Sequence, residues 1–439
     1  MTTGTRAVET RSGRRAQLLR WLAPIALVLL SAVFVLGQVG QQRAFSPIDE
    51  YVYFDYVAKV PTQGYVRSGE EVGEIARNEL SCRGVIGYGH MGEQCDVGSH
   101  EDDAAYPYNG ETGADIYSPL YFWATWAAAQ PATWFGVDLL DAARGVGVLW
   151  LSLTLLATFA ALREMGAPRL LSTGLATAML ALPIAEWSFA YVSTDGAALA
   201  SAAVLALAVV KVWRGRWSPW WFAVIAAVAT LLKLQTVAVV GAGAIALVLA
   251  AIVERDRRNP WTLVVPAVVA GVGSLATQVV WVLVRSATAV DERPDIGDGQ
   301  PGYSLEAVLS LAVRPLLNLG RVDSAEGLLS KLAIFAVVAV GLGAIVSACF
   351  VRPAGEPLRF GLGIGAATVG LLMGPLLAWL TYLMTDAFVP TPSRYAAPLI
   401  PLLLVTAVPL LHQHAAAARV VGVAGLLLGV LGTAAAIVQ

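Results

Sequence analysis

The chain has 439 residues, of which 57% are hydrophobic and only 14% charged, with a mean hydropathy of +0.66. A soluble domain carries roughly 25% charged residues, so an ordinary globular protein, a disordered chain and a nucleic-acid-binding protein are all excluded. The net charge of −2 is near zero but unevenly spread, and its distribution orients the chain.

The first twenty residues carry Arg6, Arg11, Arg14, Arg15 and Arg20, and an apolar run follows from Trp21 to about Gly40. It is long for a signal-peptide core and lacks a small-x-small cleavage site before Gln41, so it reads as a retained first span. Ten further runs near the ~20 residues that cross a bilayer cover 144–162, 170–190, 196–213, 218–233, 236–253, 261–284, 332–350, 360–384, 396–411 and 420–438. The expectation is an all-α polytopic membrane protein with about 11 transmembrane helices, within a range of roughly 10 to 13.

One run is ambiguous. Residues 118–132 are apolar but short, rich in Trp and Tyr, and contain Pro119 and Pro131. If they do not cross, the cytoplasmic segments hold 16 Lys/Arg and five acids, leaving 13 Lys/Arg and 26 acids for the remainder. If they do cross, the basic stretches Lys211–Arg216 and Arg255–Arg258 face outward, against the positive-inside rule. The run is therefore expected to be an interfacial or re-entrant helix on the outer face. The chain then divides into a basic cytoplasmic N-terminus 1–20, a first span 21–40, a large extracytoplasmic loop 41–143, a bundle 144–284, a second extracytoplasmic loop 285–331, and C-terminal spans 332–439. With its soluble mass outside, the protein is expected to do its polar chemistry there, in a bacterial plasma membrane.

Cys82 and Cys95 both lie in the first loop, thirteen residues apart, and in an oxidising compartment a disulfide is the favoured reading. Free thiols, or a metal held with His90 and His100, are the alternatives, although the spacing matches no zinc pattern. Cys349 lies inside a span and reads as an apolar residue. Gly361-x-x-x-Gly365 offers a close-packing face, with common membrane glycine as the plain alternative.

Ser46-Pro47-Ile48-Asp49-Glu50-Tyr51-Val52-Tyr53 opens the first loop. Two adjacent carboxylates at a membrane surface suit a general base, since partial desolvation raises a carboxylate toward neutrality. Helix N-terminal acids after Ser46-Pro47 are the plain alternative. Tyr117-Ser118-Pro119-Leu120 opens the interfacial run. Asp195 stands at an outer turn between two spans, where an N-cap is equally at home. Lys233 and Arg394 lie at outward span ends where positive charge is sparse. A lysine there can merely snorkel, but both side chains would serve an anionic headgroup, arginine by bidentate geometry. Tyr395 follows Arg394. Glu186 is the best candidate for a charge near the bilayer midplane.

The order of these features resembles the GT-C superfamily of integral-membrane glycosyltransferases. It runs from one span to Pro-x-Asp-Glu, an x-Pro-Leu-Tyr interfacial helix, an Asp at a later outer turn, Leu-Leu-Lys at a span end and Ser-Arg-Tyr-x-x-Pro-Leu before a late span. The bacterial protein-mannosyltransferase and aminoarabinose-transferase-like branches are the most similar. A bacterial membrane family with Pro-Pro-Asp-Glu-x-x-His is also close, although Tyr53 stands where that motif has His. The helix motif also departs, reading Ser118-Pro119-Leu120 where His- or Lys-Pro-Pro-Leu is usual.

The resemblance implies a polyprenyl-phosphate sugar donor, transfer on the outer face with inversion, and a cell-envelope glycan, lipid or protein as acceptor. It implies Asp49 as base with Glu50 beside it, Lys233 and Arg394 on the donor phosphate, and Asp195 as a second acid. Tyr53, Tyr117 and Tyr395 would then lie against substrate. No cofactor motif is complete, and a divalent metal is left open. The Ala/Val/Arg-rich composition is actinobacteria-like, which would make decaprenyl-phosphate arabinose or mannose the donor. A lipid transporter or flippase and a non-catalytic assembly protein are the rival readings. The absence of an inverted repeat with midplane polar residues weighs against the first.

Overall fold

In a computed structural model the described residues are 5–96, 99–291, 305–322, 327–351, 353, 355–385 and 391–438. Side chains are described from Trp21 onward, except at 307, 380, 381 and 383–385. The N-terminal arginines and the loop-two residues 292–304 and 323–326, on which part of the charge argument rests, lie outside that set.

Among the described residues there is no strand, only three isolated β-bridges. In chain order the helices are α1 Thr5–Val39, α2 Glu50–Gln63, α3 Glu74–Arg83, α4 Leu120–Trp134, α5 Leu139–Gly145, α6 Gly147–Glu164, α7 Arg169–Ala178, α8 Pro183–Phe189 and α9 Thr194–Trp213. They continue with α10 Trp220–Leu232, α11 Val237–Val253, α12 Trp261–Ala287, α13 Leu305–Leu317, α14 Leu328–Cys349, α15 Pro357–Thr385, α16 Leu399–His412 and α17 Ala415–Val438.

Each of the eleven apolar runs lies on a helix, but eleven full spans do not result. Among the described residues eight helices are long and apolar enough to cross, or nine if the pair α7–α8 counts as one broken span. That pair bends by 77°. The bend has a local cause: Pro183 at the first turn of α8 forces Leu182 into extended backbone (φ −83°, ψ 137°). α10 and α16 are the other departures. At 13 and 14 residues they rise only about 20 Å, less than the ~30 Å hydrocarbon core. Both shortfalls fall beside the cluster of charges described below. The run 118–132 forms α4, Leu120–Trp134, which packs on α2 and α5. Loop two is not all loop: α13 lies within it and packs along α15.

Glycine sets the closest helix contacts. A Cβ at Gly361 or Gly365 would fall 2.5 Å from the Ala246 carbonyl oxygen or 2.3 Å from that of Ala242, so this pair is the face on which α15 meets α11. On α17, Gly425 and Gly429 meet the carbonyls of Gly174 and Thr177 on α7 in the same way. Without a hydrophobic drive between helices in lipid, such close approach is a main source of their association.

Loop one folds on its own aromatic core, in which Tyr56 stacks on Phe122 at 3.8 Å beside buried Phe45, Phe54 and Tyr121. Buried Arg77 organises its outer half, donating to the carbonyls of Val72 and His100 and pairing with Asp103 at 2.6 Å. Cys82 and Cys95 are joined as a disulfide. His100 lies apart from it, between the Tyr106 hydroxyl at 2.7 Å and Asn78 at 3.0 Å, and His90 reaches the Ser81 carbonyl at 3.3 Å. The arrangement leaves no thiolate for a metal. Within loop one Arg83 pairs with Asp138 and Asp141 at the start of α5, and the loop is seated on the bundle by Arg285 of α12 pairing with buried Asp115.

Candidate active site

α2 begins at Glu50, and its preceding residue, Asp49, has left-handed backbone (φ 58°, ψ 7°). Asp and Asn tolerate that conformation better than other non-glycine residues. It turns the two adjacent carboxylates to opposite environments. Glu50 points into the protein and is fully buried, while Asp49 keeps a 43% exposed side chain.

Glu50 is completely occupied. Its Oε1 accepts from Arg144 Nε at 2.8 Å and from the Val192 N–H at 2.9 Å. Its Oε2 accepts from Arg144 Nη2 at 2.9 Å and from the Ser46 N–H at 2.8 Å. Arg144 is equally buried and also donates to the carbonyls of Gln42 and Ala44. The Tyr191 ring lies 5.2 Å from its guanidinium. One ion pair thus ties together the chain before α2, the start of α2, the end of α5 and the turn before α9. Glu50 is therefore not the catalytic partner that the resemblance implies, since no acceptor hydroxyl can reach a carboxylate so enclosed. Arg144 is not among the sequence candidates, although a cation at an outward span end is the same signal that selects Lys233 and Arg394.

Asp195 lies in the first turn of α9, where its N–H bonds the Ser193 hydroxyl at 3.2 Å, so the N-cap is Ser193 rather than Asp195. The Asp195 carboxylate is free for other work. Its Oδ1 accepts from Lys233, which terminates short α10 and has a 1% exposed side chain. Its Oδ2 lies 3.8 Å from Arg394 Nε, and Arg394 Nη2 reaches Asp49 Oδ2 at 3.3 Å. Arg394 sits in a single 3-10 turn, Ser393–Ala396, immediately before short α16. Four residues separated by up to 345 positions therefore form one chain of alternating charge: Asp49, Arg394, Asp195, Lys233.

Aromatic rings frame this chain. The Lys233 ammonium lies 5.8 Å from the Tyr117 ring and 5.6 Å from the Tyr395 ring, while Arg394 lies 5.4 Å from the Tyr395 ring. The Tyr53 hydroxyl donates to that of Tyr117 at 2.9 Å and stands 3.5 Å from Asp49 Oδ2. Asp49, Asp195, Lys233, Arg394, Tyr53, Tyr117 and Tyr395 are thus gathered at one place, whereas the Cys82–Cys95 disulfide lies elsewhere in loop one. Burial pushes the Tyr53 and Tyr117 phenols well above their ordinary range, so both keep their protons. Burial works to lower Arg394, but Asp195, Tyr395 and Asp49 outweigh it and the net shift is upward. Its buried Nε makes no hydrogen bond and is held only by the ion pair to Asp195 at 3.8 Å. The donor set does not suit a resident divalent ion: both carboxylates are already paired with cations, and a metal would sit beside two positive charges.

No protein-family model matches the sequence, and no curated protein matches it. Among solved structures it is similar to the crystal structure of ArnT from Cupriavidus metallidurans in the apo state, with a TM-score of 0.50 and 16% identity. The similarity covers 92% of this chain and 61% of that one, so this chain spans under two thirds of its length. The architecture is accordingly that of an all-α polytopic membrane protein with a fold similar to that of ArnT.

Proposed function

We propose that the protein is a membrane glycosyltransferase that moves a sugar from a polyprenyl-phosphate donor to a cell-envelope acceptor on the extracytoplasmic face. The observation that carries this reading is the convergence of Lys233 and Arg394, two cations from distant helices, beside one exposed carboxylate, Asp49. The similarity in fold to ArnT supports it at the level of architecture.

The chemistry needed is one in-line displacement. Asp49 takes the proton from an acceptor hydroxyl as that oxygen attacks the anomeric carbon. The bond from that carbon to the phosphate oxygen breaks with its electron pair going to the oxygen, and polyprenyl phosphate leaves. Lys233 and Arg394 face the charge that develops on the leaving group, where fixed donors lower the barrier most. No metal step is required in this scheme.

The test is transfer from a synthetic polyprenyl-phosphate sugar into envelope extracts by the full chain and by Asp49→Asn. Asparagine keeps the left-handed backbone but cannot take a proton. Loss of transfer with donor binding retained supports the assignment; full transfer by Asp49→Asn overturns it.

A further inference from the structure

We propose that the bundle end opposite loop one binds the phosphate headgroup of an anionic phospholipid, in a depression between the α9–α10 and α11–α12 connections. α9 starts at the site, and α10 returns to it, so residues 214–219 turn at the far end; 254–260 turn beside them. The depression measures about 480 Å³ and is walled by Arg216, Arg258, Ser218 and Gly215, with apolar Val212 and Leu263.

Two cations at this end of the bundle are held without a carboxylate: Arg258 in the wall of the depression, and Lys211 beside it, against the lining residue Trp217. The Arg258 guanidinium lies 4.9 Å from the Trp213 ring and donates once, to the Trp213 carbonyl at 3.2 Å. The Lys211 ammonium lies 4.8 Å from the Trp217 ring. Among the described residues neither forms an ion pair. The acids nearby are Glu164, Glu254 and Asp256; Glu164 is taken by Arg216 at 2.7 Å, and Asp256 lies 3.9 Å from Arg255. A guanidinium stacked on an indole has its plane fixed and its outer N–H groups ready for phosphate oxygens.

The surroundings select a lipid over a soluble anion. Trp220, Trp221 and Trp261, at the starts of α10 and α12, are 53%, 56% and 66% exposed. Exposed tryptophans at span ends mark the headgroup level of a bilayer, and this depression opens at that level. Basic pockets between spans at this level take anionic headgroups, while the apolar wall meets the first acyl carbons.

The full chain in a neutral detergent would be titrated with cardiolipin, with phosphatidylcholine, and with inorganic phosphate at equal phosphate concentration, following retained lipid by native mass spectrometry and melting temperature. Arg258→Ala/Lys211→Ala would be compared with Arg255→Ala/Arg257→Ala, which removes the same charge from exposed positions outside the depression. The first variant should bind cardiolipin at least about tenfold more weakly, as expected for lost charge-assisted hydrogen bonds, and the second should stay within about twofold. Equal weakening in both would reduce the effect to diffuse surface charge, and stabilisation by inorganic phosphate equal to that by cardiolipin would make this a soluble-anion site; either result overturns the proposal. If the alanine variant misfolds, Arg258→Lys decides: reduced cardiolipin retention supports the guanidinium contact, and wild-type retention refutes it.

Discussion

Replacing Glu50 by glutamine tests whether the buried pair with Arg144 holds the site in shape. Both side chains are completely buried, and the carboxylate accepts four hydrogen bonds, two from Arg144 and two from backbone N–H groups. Glutamine keeps the volume but turns one acceptor into a donor, so one of these donors loses its partner and the guanidinium keeps an uncompensated charge. Breaking one side of such a pair costs about 3–5 kcal/mol, enough to lower the melting temperature by about 5 °C or more in a chain of this size. Removing both charges, as in Glu50→Leu/Arg144→Met, should cost less, because no charge is stranded. The loss should be local as well as global. Ser46 precedes Asp49 by three residues, and Val192 precedes Asp195 by three, so amide exchange should rise in 42–53 and 189–197 more than elsewhere. Thermal unfolding in a single detergent, with hydrogen exchange read by mass spectrometry, measures both. If Glu50→Gln melts with the wild type and its exchange is unchanged, the pair is not the frame described here.

Other expectations follow from the same contacts. Lys233→Met leaves buried Asp195 with only the 3.8 Å contact to Arg394 and should destabilise by about 3 kcal/mol, whereas Lys233→Met/Asp195→Asn should recover much of that, read by denaturation of the two variants side by side. Gly365→Leu places a side chain where the Ala242 carbonyl already lies 2.3 Å from a bare Cβ, so α11 and α15 must separate; the variant should express poorly and melt lower, by about 2 kcal/mol or more. Cys82→Ser/Cys95→Ser removes a crosslink between residues 13 apart, which chain-entropy arguments value at about 3 kcal/mol; protease nicking should begin in loop one, with the bundle intact. Burial raises the Asp55 carboxyl despite Lys59 and the Gly73 N–H. A group whose folded pKa is raised contributes stability that is full below its unfolded value, about 4, and is lost as pH rises through the folded one. Melting temperature across that window should therefore fall less with rising pH in Asp55→Asn than in the wild type.

Much of this architecture is legible in hydropathy because lipid permits little else. A span must satisfy its backbone within itself, so long apolar runs become helices, and each of the eleven runs did. Length was the less readable quantity. The runs 218–233 and 396–411 look like spans, but Pro219 and Lys233 bound the first helix at 13 residues, and the Ser393–Ala396 turn takes the first residues of the second. The Leu182-Pro183 step was visible, and the 77° bend follows from it. α13 went unread because its apolar stripe is short and Pro315 interrupts it.

The site divides along the same line. Residue type and outward position were enough to select Asp49, Asp195, Lys233 and Arg394, which meet in space. Nothing in Asp49-Glu50 says which carboxylate faces outward. That is decided by the left-handed backbone at Asp49 and by Arg144, 94 residues away from Glu50. Long-range pairing of this kind leaves no mark on local sequence.

The most direct test of the proposed donor site is native mass spectrometry of the purified protein, wild type beside Lys233→Ala/Arg394→Ala, with a melting curve for each to establish that both are folded. The expected result is a polyprenyl phosphate or its sugar ester bound to the wild type and absent from the variant, with the mass of the attached sugar naming its class. Bulk phospholipid alone, unchanged by the two substitutions, would contradict the donor site and with it the proposed glycosyl transfer.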